Sequence, residues 1–317
     1  MSRTSISFVI CAYNDVAGVA RHFDYFIRQG QPVELVIVDD CSTDGLEQLV
    51  LDISLPAHID LRFYRNLENR GPGVSRNTGM SLVTTDRVMF LDADDLLADS
   101  FFNYLQLTPL ANGADFVLFK YHLCSHFDRR QTYNMHTVDN QFFSNLNLCS
   151  FPNRTFTLGE IPSVLRTINF PWNKVYRTDF IRQAGISFPD FRMHEDIMPH
   201  WASFLRAGRF GILQWAPPLI HHFEAPKAGR ATNYVGEHRM KAFETLLDVR
   251  AEISAHPLRD LLLPELITFS ENLVAWIISN APQDWGQRYG LAAIGFFDKL
   301  GRGQSTQGET GMGQVLE

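Results

Sequence analysis

The first hundred residues alternate between two hydrophobic rhythms. Ile6 to Ala12 (ISFVICA) is a short, nearly continuous apolar run, the pattern of a strand buried on both faces. Val16 to Gln29 then carries Val19, Phe23, Phe26 and Ile27 at helical spacing, with Gly30 as a stop. Glu34 to Val38 (ELVIV) reads as a second buried strand, and Ser42, Thr43 and Asp44 offer N-cap residues for a helix from Leu46 to Leu51. Leu61 to Tyr64 is a third strand, Gly71 to Val83 a glycine-bearing turn entering a helix, and Arg87 to Leu91 a fourth strand. This alternation predicts a parallel sheet with right-handed crossovers. Ligands of such sheets sit beyond the carboxyl ends of the strands. Tyr13-Asn14-Asp15, Asp39-Asp40 and Asp92 to Asp95 all fall at those ends, so three separated polar segments are expected on one edge.

The middle is less periodic. Asp115 to Leu123 alternates well enough for a strand, and Leu96 to Leu105 reads as a helix. Residues 125–160 show no clear period and read as loops. Pro162 to Ile168, Lys174 to Ala184 and Ile197 to Ala207 read as helices, and Phe210 to Trp215 as a strand. From about Tyr234 the pattern becomes helical: Glu237 to Ile253, Leu261 to Ile278 and residues 285–300. The tail from Gly301 is rich in Gly, Gln and Thr and reads as disordered.

Composition narrows the classes. The 317 residues suffice for a sizeable core, and the net charge of -7 argues against nucleic acid as a partner. Cys11, Cys41, Cys124 and Cys149 form no C-x-x-C pair, so reduced thiols are expected. There is no signal-peptide pattern, and no apolar stretch of membrane-spanning length stands out, so a cytoplasmic location is expected.

The chemistry concentrates in acidic strand ends. Asp92, Asp94 and Asp95 follow the apolar VMFL directly. Crowded carboxylates repel unless a cation compensates. Their oxygens suit Mg²⁺ or Mn²⁺ bridged to a diphosphate. A solvated acidic turn is the plain alternative.

Four segments carry a specific resemblance. They are Phe8 to Asn14 (FVICAYN), Glu34 to Asp44 (ELVIVDDCSTD), Asn69 to Gly79 (NRGPGVSRNTG) and Phe90 to Asp95 (FLDADD). In order and spacing they resemble the opening strand, nucleoside-binding turn, Gly-Arg-Asn segment and metal motif of the family 2 glycosyltransferases. Cys11 or Ala12 stands where that family usually has proline. Trp172 to Tyr176 (WNKVY) and His194-Glu195-Asp196 resemble acceptor-side segments of members that build bacterial polysaccharides and cell envelopes.

The resemblance implies an α/β protein of GT-A fold: a Rossmann-like, mostly parallel sheet flanked by helices, with a helical C-terminal extension. It implies a catalytic domain over 1–233, with a nucleotide-sugar half (1–110) and an acceptor half (111–233), helices over 234–300 and a tail over 301–317. The implied activity is metal-dependent, inverting transfer of a sugar from a nucleoside-diphosphate donor, of UDP type, to a glycan or lipid-linked acceptor.

Residue by residue, the resemblance sets Ala12, Tyr13, Asn14, Asp40, Arg76, Asp92 and Asp94 around the donor. Tyr13 is the base-packing ring or a core-edge tyrosine, Asp40 the acceptor for the base imide, and Arg76 the partner of diphosphate or carboxylates. Asp94 becomes the principal ligand of Mn²⁺ or Mg²⁺, with His222, or else His221, completing the shell. Asp196 becomes the base and Glu195 its neighbour orienting acceptor or loop. Trp172 stacks on a sugar or is a buried tryptophan, and Lys174 meets an anionic group or solvent. Asp15 caps a helix, Asn77 holds its loop, and Lys227 and Arg230 close over the diphosphate. The C-terminal helices leave open a homodimer or a peripheral contact with the inner membrane. A nucleotidyltransferase would show a glycine-rich, basic signature near the N-terminus, and residues 8–15 contain none. A non-catalytic nucleotide-sugar-binding protein is the third alternative.

Overall fold

The structure is a computed structural model; it describes residues 6–106, 109–124, 132–146, 154–223 and 234–301. Cys149, Lys227, Arg230, parts of 125–160 and the tail after 301 lie outside the described residues. The chain divides into two compact units, Met1–Tyr234 and Val235–Glu317.

The first unit opens as its hydrophobic rhythm dictates, with β1 (Ile6–Ala12), α1 (Val16–Gln29), β2 (Val33–Asp39), α2 (Leu46–Asp52), β3 (Ile59–Arg65), α3 (Pro72–Leu82) and β4 (Arg87–Asp92). These strands pair in parallel in the order β3-β2-β1-β4. Every residue of β2 is buried, as a strand covered on both faces requires. Gly30 ends α1 in the left-handed region, at φ 62°. Asp15 caps the other end, its side chain accepting from the Gly18 N–H at 3.1 Å.

Beyond β4 the chain departs from its local pattern. The helix expected over Leu96 to Leu105 is instead β5 (Leu96–Leu97) followed by α4 (Phe101–Leu105). The strand expected over Asp115 to Leu123 breaks into β6 (Phe116–Phe119) and β7 (Tyr121–Cys124), which belong to different sheets. The segment read as loop contains β8 (Thr132–Tyr133), α5 (Thr137–Asn145) and β9 (Thr155–Phe156). The helix expected from Lys174 begins as β10 (Lys174–Arg177), and only α6 (Thr178–Gln183) is helical. Lys174 is buried, so its charge misrepresents its position. Then follow α7 (Ile197–Arg206), β11 (Phe210–Leu213) and β12 (Ile220–Phe223).

The main sheet has eight strands in the order β3-β2-β1-β4-β10-β6-β11-β9. It is mostly parallel, with β10 and β9 running against their neighbours. The second sheet, β5-β12-β7-β8, joins the residues just after Asp95 to the strand that carries His221 and His222.

The second unit holds α8 (Lys241–Ala255), α9 (Arg259–Ser279) and α10 (Gln283–Gly301), which pack on one another. Helix α9 corrects the sequence reading: by length and composition it is apolar enough to cross a membrane. Glu265 and Glu271 interrupt the run and hid it. Leu262, Leu266, Phe269, Val274 and Ile277 of α9 are buried.

Candidate active site

All residues singled out for chemistry lie in the first unit. Parallel pairing sets Cys11 of β1 level with Val38 of β2 and Asp92 of β4. The loops leaving these strands therefore share one edge. Ala12 is buried, and its carbonyl accepts from the Asp40 N–H at 2.9 Å. Asn14 adopts φ 51°, a conformation Asn tolerates better than most residues. Its N–H donates to Ser42 Oγ at 2.9 Å and its Oδ1 accepts from the Thr43 N–H at 2.8 Å, tying the first loop to the second. Tyr13 between them is 54% exposed, so it is not a core-edge tyrosine.

Asp40 is buried and organises the third loop. Its Oδ1 accepts from Asn66 Nδ2 at 2.7 Å and the Arg70 N–H at 2.9 Å; its Oδ2 accepts from the Gly71 N–H at 2.8 Å. A carboxylate has about four lone-pair sites, so one acceptor position remains. Asp39, which the motif reading passed over, accepts from the Ser42 N–H at 2.8 Å and from Arg65 at 2.6 Å. Asn66 gave no sequence signal, because its role depends on a partner 26 residues away.

The Gly-Arg-Asn segment joins this edge to the base loop. Gly71 precedes α3 at φ 86°, a conformation that favours glycine. A Cβ on Gly73 would lie 2.6 Å from the Pro189 carbonyl oxygen and 3.2 Å from Glu195 Cγ. Asn77 donates to the Phe188 carbonyl at 2.7 Å and accepts from its N–H at 2.9 Å. Between these anchors Arg76 is buried. Its Nη2 donates to Asp92 Oδ1 and its Nη1 to Glu195 Oε1, both at 2.8 Å, and its guanidinium carbon lies 5.2 Å from the Phe188 ring centroid. Two carboxylates 103 positions apart in the chain thus share one guanidinium. Cys11 sits beside them, its thiol pushed by burial up to about 12 and therefore neutral.

The 92–95 turn is held from three sides. A Cβ on Gly18 would lie 2.3 Å from the Ala93 carbonyl oxygen, so α1 packs directly on the turn. His22 Nε2 lies 3.1 Å from the Asp92 carbonyl oxygen, and burial lowers that imidazole to about 4. Asp95 is fully buried; its carboxylate faces His222 Nδ1 at 2.8 and 3.0 Å and accepts from the Phe223 N–H at 3.2 Å. Burial pushes Asp95 up to about 6, against the pull of His222. Burial, the largest single influence, opposes a charge on His222, but Asp95, Asp92 and Asp94 together outweigh it and the imidazole is raised. With Nδ1 turned to Asp95, Nε2 is the nitrogen left for a ligand. Asp94 is half-exposed on the same turn. His221 faces elsewhere, with Nδ1 3.7 Å from Cys124 Sγ.

Among the described residues, no three His, Cys, Asp or Glu side chains gather as a ready metal cage. The donor set fits a hard cation nonetheless. One carboxylate and one oriented imidazole, completed by phosphate oxygens and water, is a common Mg²⁺ or Mn²⁺ arrangement.

Asp196 precedes α7 in the loop that Arg76 reaches through Glu195. Burial, reinforced by the Glu195 charge and opposed by Arg76, pushes its carboxyl up to about 7. Lys174 is buried, its Nζ donating to the Phe170 carbonyl at 2.7 Å and Asn173 Oδ1 at 2.8 Å. Burial lowers it to about 7, with Asp139 and Asp196 opposing. Its ammonium is thus used internally. Trp172 is fully buried and stacks on Phe170 (4.3 Å between centroids) and His222 (4.8 Å). In this arrangement the ring braces His222.

The sequence also matches a known family. The profile described as "Glycosyl transferase family 2" matches residues 7–181, more than half of the chain. The chain belongs to that family. Among curated relatives, the succinoglycan biosynthesis protein ExoO of Rhizobium meliloti is 37% identical over 91 residues, 28% of this chain and 25% of ExoO. The poly(ribitol-phosphate) beta-N-acetylglucosaminyltransferase TarS of Staphylococcus aureus is 24% identical over 241 residues, 75% of this chain and 37% of TarS. The matches thus span a quarter to somewhat over a third of these relatives. The crystal structure of S. aureus TarS 1–349 in complex with UDP-GlcNAc superposes with a TM-score of 0.66 at 17% identity, covering 95% of this chain and 91% of that one. The GT-A fold expected from the motifs is therefore the fold observed.

Proposed function

We propose that this family 2 chain is a divalent-metal-dependent, inverting glycosyltransferase. It moves a sugar from a nucleoside-diphosphate donor, of UDP type, to a glycan or lipid-linked acceptor at the cytoplasmic side of the membrane, in envelope, capsule or exopolysaccharide synthesis. The observation that carries this reading is the Arg76 bridge from Asp92 to Glu195, at 2.8 Å on each side. It couples the strand end that meets the donor to the loop that carries Asp196. The UDP-GlcNAc bound by the TarS structure and the polysaccharide role in the name of ExoO support the donor and product classes.

In this reading Tyr13 packs against the nucleobase, and the remaining acceptor position of Asp40 takes the base imide. Asp92 meets the ribose or the donor sugar. Asp94 and His222 Nε2 hold Mn²⁺ or Mg²⁺, with Asp95 and Trp172 fixing the imidazole. When bound, the cation supplies positive charge for the departing diphosphate. Asp196 takes the proton of the acceptor hydroxyl as that oxygen attacks the anomeric carbon and the bond to the diphosphate breaks. A carboxyl near 7 suits a base that must both accept and release this proton. Glu195, held by Arg76, fixes the loop. Trp172 and Lys174 act from beneath rather than touching the acceptor.

The test is a panel of nucleotide sugars screened by thermal shift with Mn²⁺, followed by donor hydrolysis with and without EDTA. One UDP-sugar should raise the melting temperature, and its hydrolysis should stop on chelation. Undiminished hydrolysis in EDTA would remove the assignment of Asp94 and His222.

A further inference from the structure

The end of the sheet opposite the catalytic edge holds a cavity of about 600 Å³. It opens between the start of β4, the end of β10 and α6, and its lining includes Thr84, Thr85, Arg87, Arg177, Thr178 and Arg182. Its volume falls within the range of about 300–1,000 Å³ usual for small-molecule sites. From Arg87 to Asp92, β4 rises roughly 17 Å, so this cavity is separate from the donor edge.

Arg87 and Arg177 lie directly opposite each other in the antiparallel pairing of β4 and β10. Like charges so placed destabilise a sheet unless something compensates. Arg177 is compensated by Asp115 at 3.3 Å and by a close pairing with Asp179. Arg87 makes no side-chain hydrogen bond or ion pair among the described residues. Burial disfavours its charge, with only the nearby Asp86 opposing. Arg182 donates to the carbonyls of Met80 and Val83, at 3.4 and 2.7 Å, and pairs with no carboxylate among the described residues. Thr178 is 3% exposed, and its hydroxyl has no hydrogen-bond partner among the described residues. Asp86 and Asp179 share the lining, and Asp115 pairs with Arg177 from outside it, so carboxylates match the three guanidiniums in number and the lining offers unused donors, at Arg87 and Thr178, rather than net charge.

We infer that this cavity binds a small ligand through a phosphate-type oxyanion, with Arg87 as its main partner and Arg182 and the Thr178 hydroxyl as further donors. A fork of N–H donors matches a phosphate, and Thr178 brings an unpartnered hydroxyl to the same lining. The same chemistry is offered by free phosphate and by a nucleotide.

Isothermal titration of the full chain without metal, using inorganic phosphate and separately UDP, tests the inference. Phosphate should bind saturably, and Arg87→Gln should weaken it about tenfold, the loss of one charge-assisted contact. Arg182→Gln should act in the same direction and carries the test if the first variant does not fold. A UDP stoichiometry that falls by one equivalent from the wild type to Arg87→Gln would identify a nucleotide as occupant. An unchanged UDP stoichiometry, with phosphate binding weakened, would identify the free ion. Phosphate that does not saturate, or that binds both variants as tightly as the wild type, would overturn the inference.

Discussion

At the scale of single residues, two carboxyls behave unlike solvent-exposed aspartates. Asp196 is held up to about 7 by burial and the Glu195 charge, whereas an unfolded Asp titrates at about 3.9. Between those values the folded state keeps a proton that the unfolded chain has lost, so stability falls as pH rises from about 4 to about 7. Asp196→Asn should therefore melt higher than wild type at pH 8, with the advantage vanishing below about pH 4. Equal melting curves at pH 8 would show that the carboxyl is not raised. Asp95 is the second case. It orients His222 rather than facing solvent, so Asp95→Asn should raise the Mn²⁺ concentration needed for half activity about 10- to 100-fold. The acidic motif was legible in sequence; its division of labour was not. Asp94 and Asp95 are adjacent in the chain, and what sets Asp95 apart is its burial and its contacts with His222 and Phe223, more than a hundred residues away. Lys174 and Trp172 were likewise visible as residue types, but their burial depends on strands and rings remote in sequence.

At the scale of elements, glycines determine how closely α3 approaches its neighbours. A Cβ on Gly79 would lie 2.3 Å from Val9 Cγ1 and 3.2 Å from Val38 Cγ2, inside the packed face of the sheet. Gly79→Ala should cost about 1–3 kcal/mol in urea unfolding, as overpacking generally does. Gly73→Ala presses on Pro189 and Glu195 instead. Its turnover should fall further than its stability, because the displaced segment carries Asp196, the proposed base. An unchanged kcat in a destabilised Gly73→Ala would mean that Glu195 does not position the reacting groups. β1, β2 and β4 were legible because strands covered on both faces give unbroken apolar runs, and α1 because it gives a clear helical stripe; β3 is half-exposed, and only its Leu61 to Tyr64 part was legible. The elements after β4 were not. A two-residue strand such as β5 exists only through its pairing with β12, more than a hundred residues later, and β10 begins with a lysine that reads as surface.

At the scale of the whole molecule, the first unit gathers the chemistry and α8, α9 and α10 form a separate compact unit. A net charge of -7 gives no long-range attraction for a diphosphate, so in the proposed function a bound cation would supply it locally. In the proposed function the donor edge and the base loop form one centre. The direct measurement is Asp196→Asn assayed twice, once for binding of the UDP-sugar with Mn²⁺ and once for transfer. Removing a base while leaving the donor site whole should keep the donor Kd within about twofold and cut turnover at least 10²-fold. Transfer at the wild-type rate would contradict the assignment.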